Sequence, residues 1–165
     1  MWYLKKYFVY IKMYRQRVFL TDKKKKNTSE TPSHFTLDIN SLKSYIRRVK
    51  GLRFVNLTIT WTPTATTMTE GFIYIKDLSH DERHISGSPY HAYFPITQGS
   101  VGVSTLFRFQ FTDTYITDLF ARDYVNQLDV QILRQNSSGE LVEFTEITTC
   151  DIEVEFISFD RPVDG

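Results

Sequence analysis

Apolar and polar residues alternate with a period of two from residue 34 to the end of the chain. Phe35, Leu37 and Ile39 alternate with Thr36 and Asp38. Val55, Leu57, Ile59 and Trp61 alternate with Asn56, Thr58 and Thr60. The same alternation sets Phe107, Phe109 and Phe111 against Arg108 and Gln110, and Leu128, Val130 and Ile132 against Asp129 and Gln131. It recurs in Ile152, Val154 and Phe156 against Asp151, Glu153 and Glu155. A helix turns every 3.6 residues or so and cannot hold any of these sets on one face. Each set predicts a strand with one face in a core and one face wet.

Weaker signals fill the gaps. Arg17–Thr21 is short and apolar, and Gly71–Asp77 is apolar on both faces. Tyr90–Thr97 contains Pro95, which suits an edge strand or its end. Asn136-Ser-Ser-Gly139 is a turn joining Leu128–Arg134 to Glu140–Phe144 in a hairpin. Ser41–Lys50 places Leu42, Tyr45, Ile46 and Val49 on one helical face, with Ser41 as its cap. Tyr115–Tyr124 reads as one or two turns between strands. The predicted fold is all-β: a single jelly-roll β-sandwich of about eight to nine antiparallel strands. An immunoglobulin-like sandwich is the rival, and it usually needs fewer residues.

Composition narrows the classes. The chain has 165 residues, 41% hydrophobic and 24% charged, enough for one domain with a sizeable core. A single cysteine excludes an internal disulfide and a four-cysteine zinc site. No run of about 18 apolar residues exists, so no ordinary membrane-spanning helix is expected.

The net charge of +1 conceals a split. Residues 1–53 hold 14 Lys/Arg and 3 Asp/Glu, while residues 54–165 hold 6 and 16. This pattern predicts a basic arm, residues 1–15, on a mildly acidic domain, residues 16–165. The candidate contact residues of the basic stretch are Lys5, Lys6, Lys12, Arg15, Arg17, Lys23, Lys24, Lys25 and Lys26. Such a stretch neutralises phosphates without reading bases, or lies on an acidic protein neighbour or an anionic membrane surface. Trp2, Tyr3, Tyr7, Phe8, Tyr10 and Tyr14 interleave it, which suits anchoring against protein more than stacking on bases. Lys5, Lys6 and Lys12 interrupt what would be a signal-peptide core.

Candidate chemistry is sparse. His80 and His84 lie four apart, with His91 nearby, but Asp81 stands where a zincin needs Glu. A surface loop is the expectation there. Asp113, Asp118 and Asp123 lack the spacing and glycine of a calcium loop and read as turn and cap residues. Cys150 reads as structural. Neither a phosphate-cradling glycine loop nor Gly-x-Ser-x-Gly occurs. No cofactor and no enzymatic activity are expected.

Three stretches resemble the penton, or minor capsid, proteins of virophages, polinton-like viruses and related elements. The first is Val18-Phe-Leu-Thr-Asp22, a charged loop, then His34-Phe-Thr-Leu-Asp-Ile39. The second runs from Val49 to Trp61 and is followed by Thr-Pro. The third is Ile116-Thr-Asp-Leu119 through Leu128-Asp-Val-Gln-Ile-Leu133 to Asn136-Ser-Ser-Gly139-Glu-Leu-Val-Glu-Phe144. The resemblance spans roughly residues 16–160 and rests on the order of features. It implies a structural virion protein, five copies around an icosahedral vertex, and contacts to neighbouring major capsid proteins. It implies a location in the virion after synthesis in the host cytoplasm or nucleus. Packaged DNA is a further candidate partner of the basic arm. The resemblance implies no catalytic residues. The alternative is a carbohydrate- or receptor-binding β-sandwich, a spike head or lectin-like module, with Trp61, Tyr90, Tyr93 or Tyr115 exposed to stack on sugars. A third reading is a cupin-like metal site on His80, His84 and His91.

Overall fold

The computed structural model describes residues 12–38, 49–64, 69–76, 78, 85–96, 100–112, 115–117 and 127–160. Ten strands lie among them: β1 (Lys12–Thr21), β2 (His34–Asp38), β3 (Val49–Trp61), β4 (Thr69–Ile75), β5 (Ala92–Ile96), β6 (Thr105–Gln110), β7 (Tyr115–Thr117), β8 (Gln127–Gln135), β9 (Leu141–Glu143) and β10 (Ile147–Asp160). One sheet runs β1-β10-β3-β6, with β7 also on β3, and the other runs β2-β8-β4-β5, with β9 also on β8.

The connectivity is that of a rolled ribbon. From the middle outwards, β4 pairs β5, β3 pairs β6, β2 pairs β8 and β1 pairs β10, all antiparallel. A ribbon with one apolar face buries that face by rolling over on itself. Rolling brings β10 against β3 and β8 against β4, and these two contacts create the sheets. The result is a jelly roll.

Its core is the inward set that the alternation marks. Phe35, Leu57, Ile59, Ile73, Ile75, Phe94, Ile96, Leu128, Val130, Ile132, Phe144, Ile152 and Val154 are buried in one cluster. Burying each such side chain stabilises by about 1.5–3 kcal/mol relative to leaving it in water. Phe107 and Phe109, on the edge strand β6, are only half-buried and pack against this cluster.

Several boundaries differ from the expectation. Within β3, Glu153 pairs with Asn56 while Val154 pairs with Phe54, so Val55 is an extra residue. This bulge flips the facing of the strand, and Leu52 and Phe54 replace the odd-numbered residues as core. The helix expected over Ser41–Lys50 does not extend to its last two residues. Val49 and Lys50 open β3, and Val49 pairs with Ser158 of the long β10 template. Residues 39–48 lie outside the described residues. Tyr115–Thr117, expected as a turn, is a strand. It continues the edge that β6 begins on β3, opposite Arg53 to Gly51. The arm boundary after residue 15 falls inside β1, since Lys12–Arg15 pair with Asp160–Ile157. Residues 1–11 lie outside the described residues. The β8–β9 turn is as read. Gly139 has φ +82°, and Asn136 Oδ1 accepts from the N–H groups of Ser138 and Glu140.

Gly71 of β4 sits directly opposite Phe94 of β5, and the Phe94 ring occupies the space a Cβ would need. Phe94 is fully buried, so its ring could shift only by disturbing its packed neighbours. Gly71→Ala is expected to lower stability by about 1–3 kcal/mol in urea unfolding. Adding Phe94→Leu should recover part of that loss. A Gly71→Ala protein as stable as the parent would contradict this packing.

Candidate interaction surface

The outward residues of the β1-β10-β3-β6 sheet form cross-strand rows. In one row, Arg17 of β1 faces Glu155 of β10, which faces Arg53 of β3. Arg17 Nε lies 3.3 Å from Glu155 Oε1, and Arg53 Nη1 lies 3.2 Å from Glu155 Oε2. In the next row, Glu153 Oε1 takes Arg17 Nη1 at 3.1 Å, and Oε2 accepts from Asn56 Nδ2. Alternating charge across neighbouring strands is the favourable arrangement for a sheet face. Glu155 is only 6% exposed, although it sits on the outward face. Burial works to raise its pKa, but the hydrogen bonds and charges of Arg53 and Arg17 outweigh it. The carboxyl therefore titrates below its ordinary value.

The basic residues do not act as one unit. Lys5 and Lys6 lie outside the described residues. Lys12 opens β1 opposite Asp160, and Arg15 is exposed on the same strand. Arg17 is engaged by Glu153 and Glu155. Lys23 and Lys24 are exposed on the 3-10 turn Asp22–Lys24, which Thr21 Oγ1 caps by accepting from the Lys23 N–H. Lys25 Nζ donates to the Glu30 carbonyl, and Lys26 Nζ donates to Gln127 Oε1 at 3.3 Å. Of the four-lysine run, Lys25 thus braces the β1–β2 loop internally and Lys26 ties it to β8. Glu30 Oε2 accepts from the Thr36 N–H at 2.9 Å. Burial opposes the charged form there, and the hydrogen bonds from Thr36 prevail and lower its pKa.

The other candidates fall in different places. Trp61 is 3% exposed and edge-on to Phe144, in the core and not on a binding face. Tyr90 packs on Phe72, while Tyr93 is 42% exposed. The Tyr115 side chain is outside the described residues. So are His80, His84, Asp113, Asp118 and Asp123. His91 is buried, stacked on Tyr74, and its Nδ1 accepts from the Ile75 N–H at 3.1 Å. That bond removes the Nδ1 lone pair from metal binding. Cys150 is buried, and burial, Asp22 and Asp151 together push its thiol well up. Its N–H donates to Asp22 Oδ1 at 3.0 Å. Ser33 Oγ donates to Glu143 and His34 Nε2 contacts Asp129 Oδ1 at 2.9 Å, so serine and imidazole serve different carboxylates. The Thr31 hydroxyl bond, with Ser33 and against burial, lowers the Glu143 pKa. Among the described residues no three His, Cys, Asp or Glu converge as a metal site. Among them no helix is long and apolar enough to cross a membrane.

A groove of about 420 Å³ crosses the same sheet face, between Phe19 of β1 and Arg108 and Gln110 of β6. Phe19 is 61% exposed. The sequence carries a signal for it: Phe19 shares the parity of Arg15 and Arg17, whereas Val18 and Leu20 share that of the core. The overall apolarity of Arg17–Thr21 does not separate these two parities.

No family model and no curated protein sequence matches the chain. Among solved structures, it is similar to a chain of the infectious bursal disease virus VP2 subviral particle, at 10% identity and TM-score 0.30. That likeness covers 91% of this chain and 34% of the other, so this chain spans about a third of its neighbour's length.

The depressed pKa values of Glu155, Glu143 and Glu30 fix the sign of a pH dependence. Each carboxylate is favoured in the folded state, so its contribution is present above the ordinary 4.5 and lost as pH falls through the lower folded value. Unfolding free energy should be flat near neutrality and decline below about pH 4.5. Glu155→Gln should make that decline shallower. At pH 7, Glu155→Ala should cost about 1–3 kcal/mol, because it removes a nearly buried carboxylate that two arginines share. Arg17→Ala, at an exposed side chain, should cost less than about 1 kcal/mol. Chemical unfolding across pH measures all three.

Proposed function

We propose that the chain is a structural subunit of a virus shell, and more finely the penton, or minor capsid, protein at the five-fold vertex of an icosahedral double-stranded DNA virus. The observation that carries the reading is the strand order. Eight strands wrap as two four-stranded sheets in jelly-roll order, the fold of a single jelly-roll shell subunit. A shell subunit needs a stiff body whose flanks meet neighbours, and this body is two sheets locked by one core. Fold alone does not define function, so the sequence resemblance is the second support.

In this reading copies of the chain form a ring by a heterologous contact, one flank of the sandwich on the opposite flank of the next. The outer edges are the natural rims for neighbouring major capsid proteins. The basic segment ahead of β1 reaches those neighbours or packaged DNA. Arg17, Lys25 and Lys26 are engaged within the domain. Lys5, Lys6, Lys12, Arg15, Lys23 and Lys24 are therefore the residues assigned to outside contacts.

Light scattering on a sizing column, at low and high salt, tests the ring. The expected mass is that of five 19.4 kDa chains. A protein that stays monomeric, and that does not join shells when co-expressed with a major capsid protein, would sink the proposal. The limits of β1 place the informative truncation after residue 11. Removing residues 1–11 should leave the thermal midpoint unchanged and abolish incorporation into particles.

A further inference from the structure

The groove beside Phe19 has a composition that points to a ligand class. It is built from two adjacent cross-strand rows. One is Phe19, Glu153, Asn56 and Gln110, and the next is Asp151, Thr58 and Arg108. Four strands at about 4.8 Å spacing make a platform some 14 Å wide. That is the footprint of a short oligosaccharide lying across a sheet.

We propose that this groove binds a neutral oligosaccharide, with Phe19 as the stacking platform. The Phe19 ring is 61% exposed and lines the groove, an apolar surface for the C–H face of a sugar ring. Around it are hydrogen-bonding groups that the fold leaves unspent. Among the described residues, the side chains of Thr58, Arg108, Gln110 and Asp151 make no hydrogen bond within the protein. Asn56 donates its Nδ2 to Glu153 and keeps Oδ1 as an acceptor. Gln110, Thr58 and Asn56 offer both donors and acceptors, which matches hydroxyls that do both. The platform is also held in place. Glu153 is pinned by Arg17 and Asn56, and these side chains stand on a paired sheet, so little order must be gained on binding.

Charge and polarity exclude the other occupants. Arg108 and Asp151 add opposite charges to the lining, and Glu153 is paired with Arg17, so the groove lacks the positive excess that phosphate, sulfate or sialic acid needs. A protein contact of this size wants a contiguous apolar centre. Here one exposed aromatic stands among polar groups.

Ligand-observed NMR on the full chain tests the site. The probes are maltotriose, mannotriose, chitotriose and lacto-N-tetraose, each up to about 10 mM. Sialyllactose and a heparin tetrasaccharide serve as acidic controls. At least one neutral probe should bind. Phe19→Ala should weaken it by about tenfold or more. Gln110→Ala should weaken it by a smaller factor. Both positions face outward, so both variants should keep the parental thermal midpoint. Binding of none of the four neutral probes, binding of the acidic controls alone, or equal affinity in both variants would overturn the proposal. A Phe19→Ala protein that loses self-association in the absence of neutral-sugar binding would assign the groove to a protein contact instead.

Discussion

The backbone ladder of β10 is the constraint on which the rest depends. This last strand is the longest described, 14 residues, and it is paired along both edges, with β1 on one side and β3 on the other. Without it, β1 has no neighbour among the described residues, and the first sheet is reduced to β3 with its short partners β6 and β7. Every row on the outer face passes through β10, including the one in which Glu155 stands between two arginines. The partners are far apart in sequence: Arg17 and Glu155 are 138 residues apart, and Asp22 and Cys150 are 128 apart. Closing loops of that length must precede the contacts that reward it, which makes this a topology of slow, late consolidation.

Much of the fold was legible because a strand writes its facing into alternate residues. Phe35 and Leu37, Leu128 to Ile132, and Ile152 to Phe156 are buried as their alternation requires. The failures share one cause, pairing with a distant strand. The bulge at Val55 leaves no mark in the local sequence, since Phe54 and Val55 are both apolar and only the register with β10 decides which faces inward. Tyr115–Thr117 is a strand because β3 offers it an edge. Trp61 is a different lesson. Its place in the set with Leu57 and Ile59 already put it in the core, and a role as an exposed sugar platform contradicted that pattern.

The outer face was legible only in its polarity. Alternation marks Glu153 and Glu155 as outward, and they are. It does not reveal that Glu155 is almost wholly covered, or that Arg17 and Arg53 cover it. The run of four lysines shows the same limit. A charge plot counts Lys25 and Lys26 with Lys23 and Lys24, whereas the structure uses the first pair to hold a loop and leaves the second pair in water.

The edges of the two sheets carry one more consequence. On β3, the outer edge is shared by β6 and β7 with a break between them. On β8, it is shared by β2 and β9. The edge strand β5 has five residues and contains Pro95. Three of the four rims are thus too short or too interrupted to template another chain. β1 differs: it offers ten uninterrupted residues with Lys12, Arg15 and Arg17 along them. Among the described residues, strand-to-strand growth between molecules therefore has one long address. Two copies arriving there meet like charge on like charge. Repulsion at that rim works against edge-to-edge pairing of copies and favours a neighbour of opposite sign.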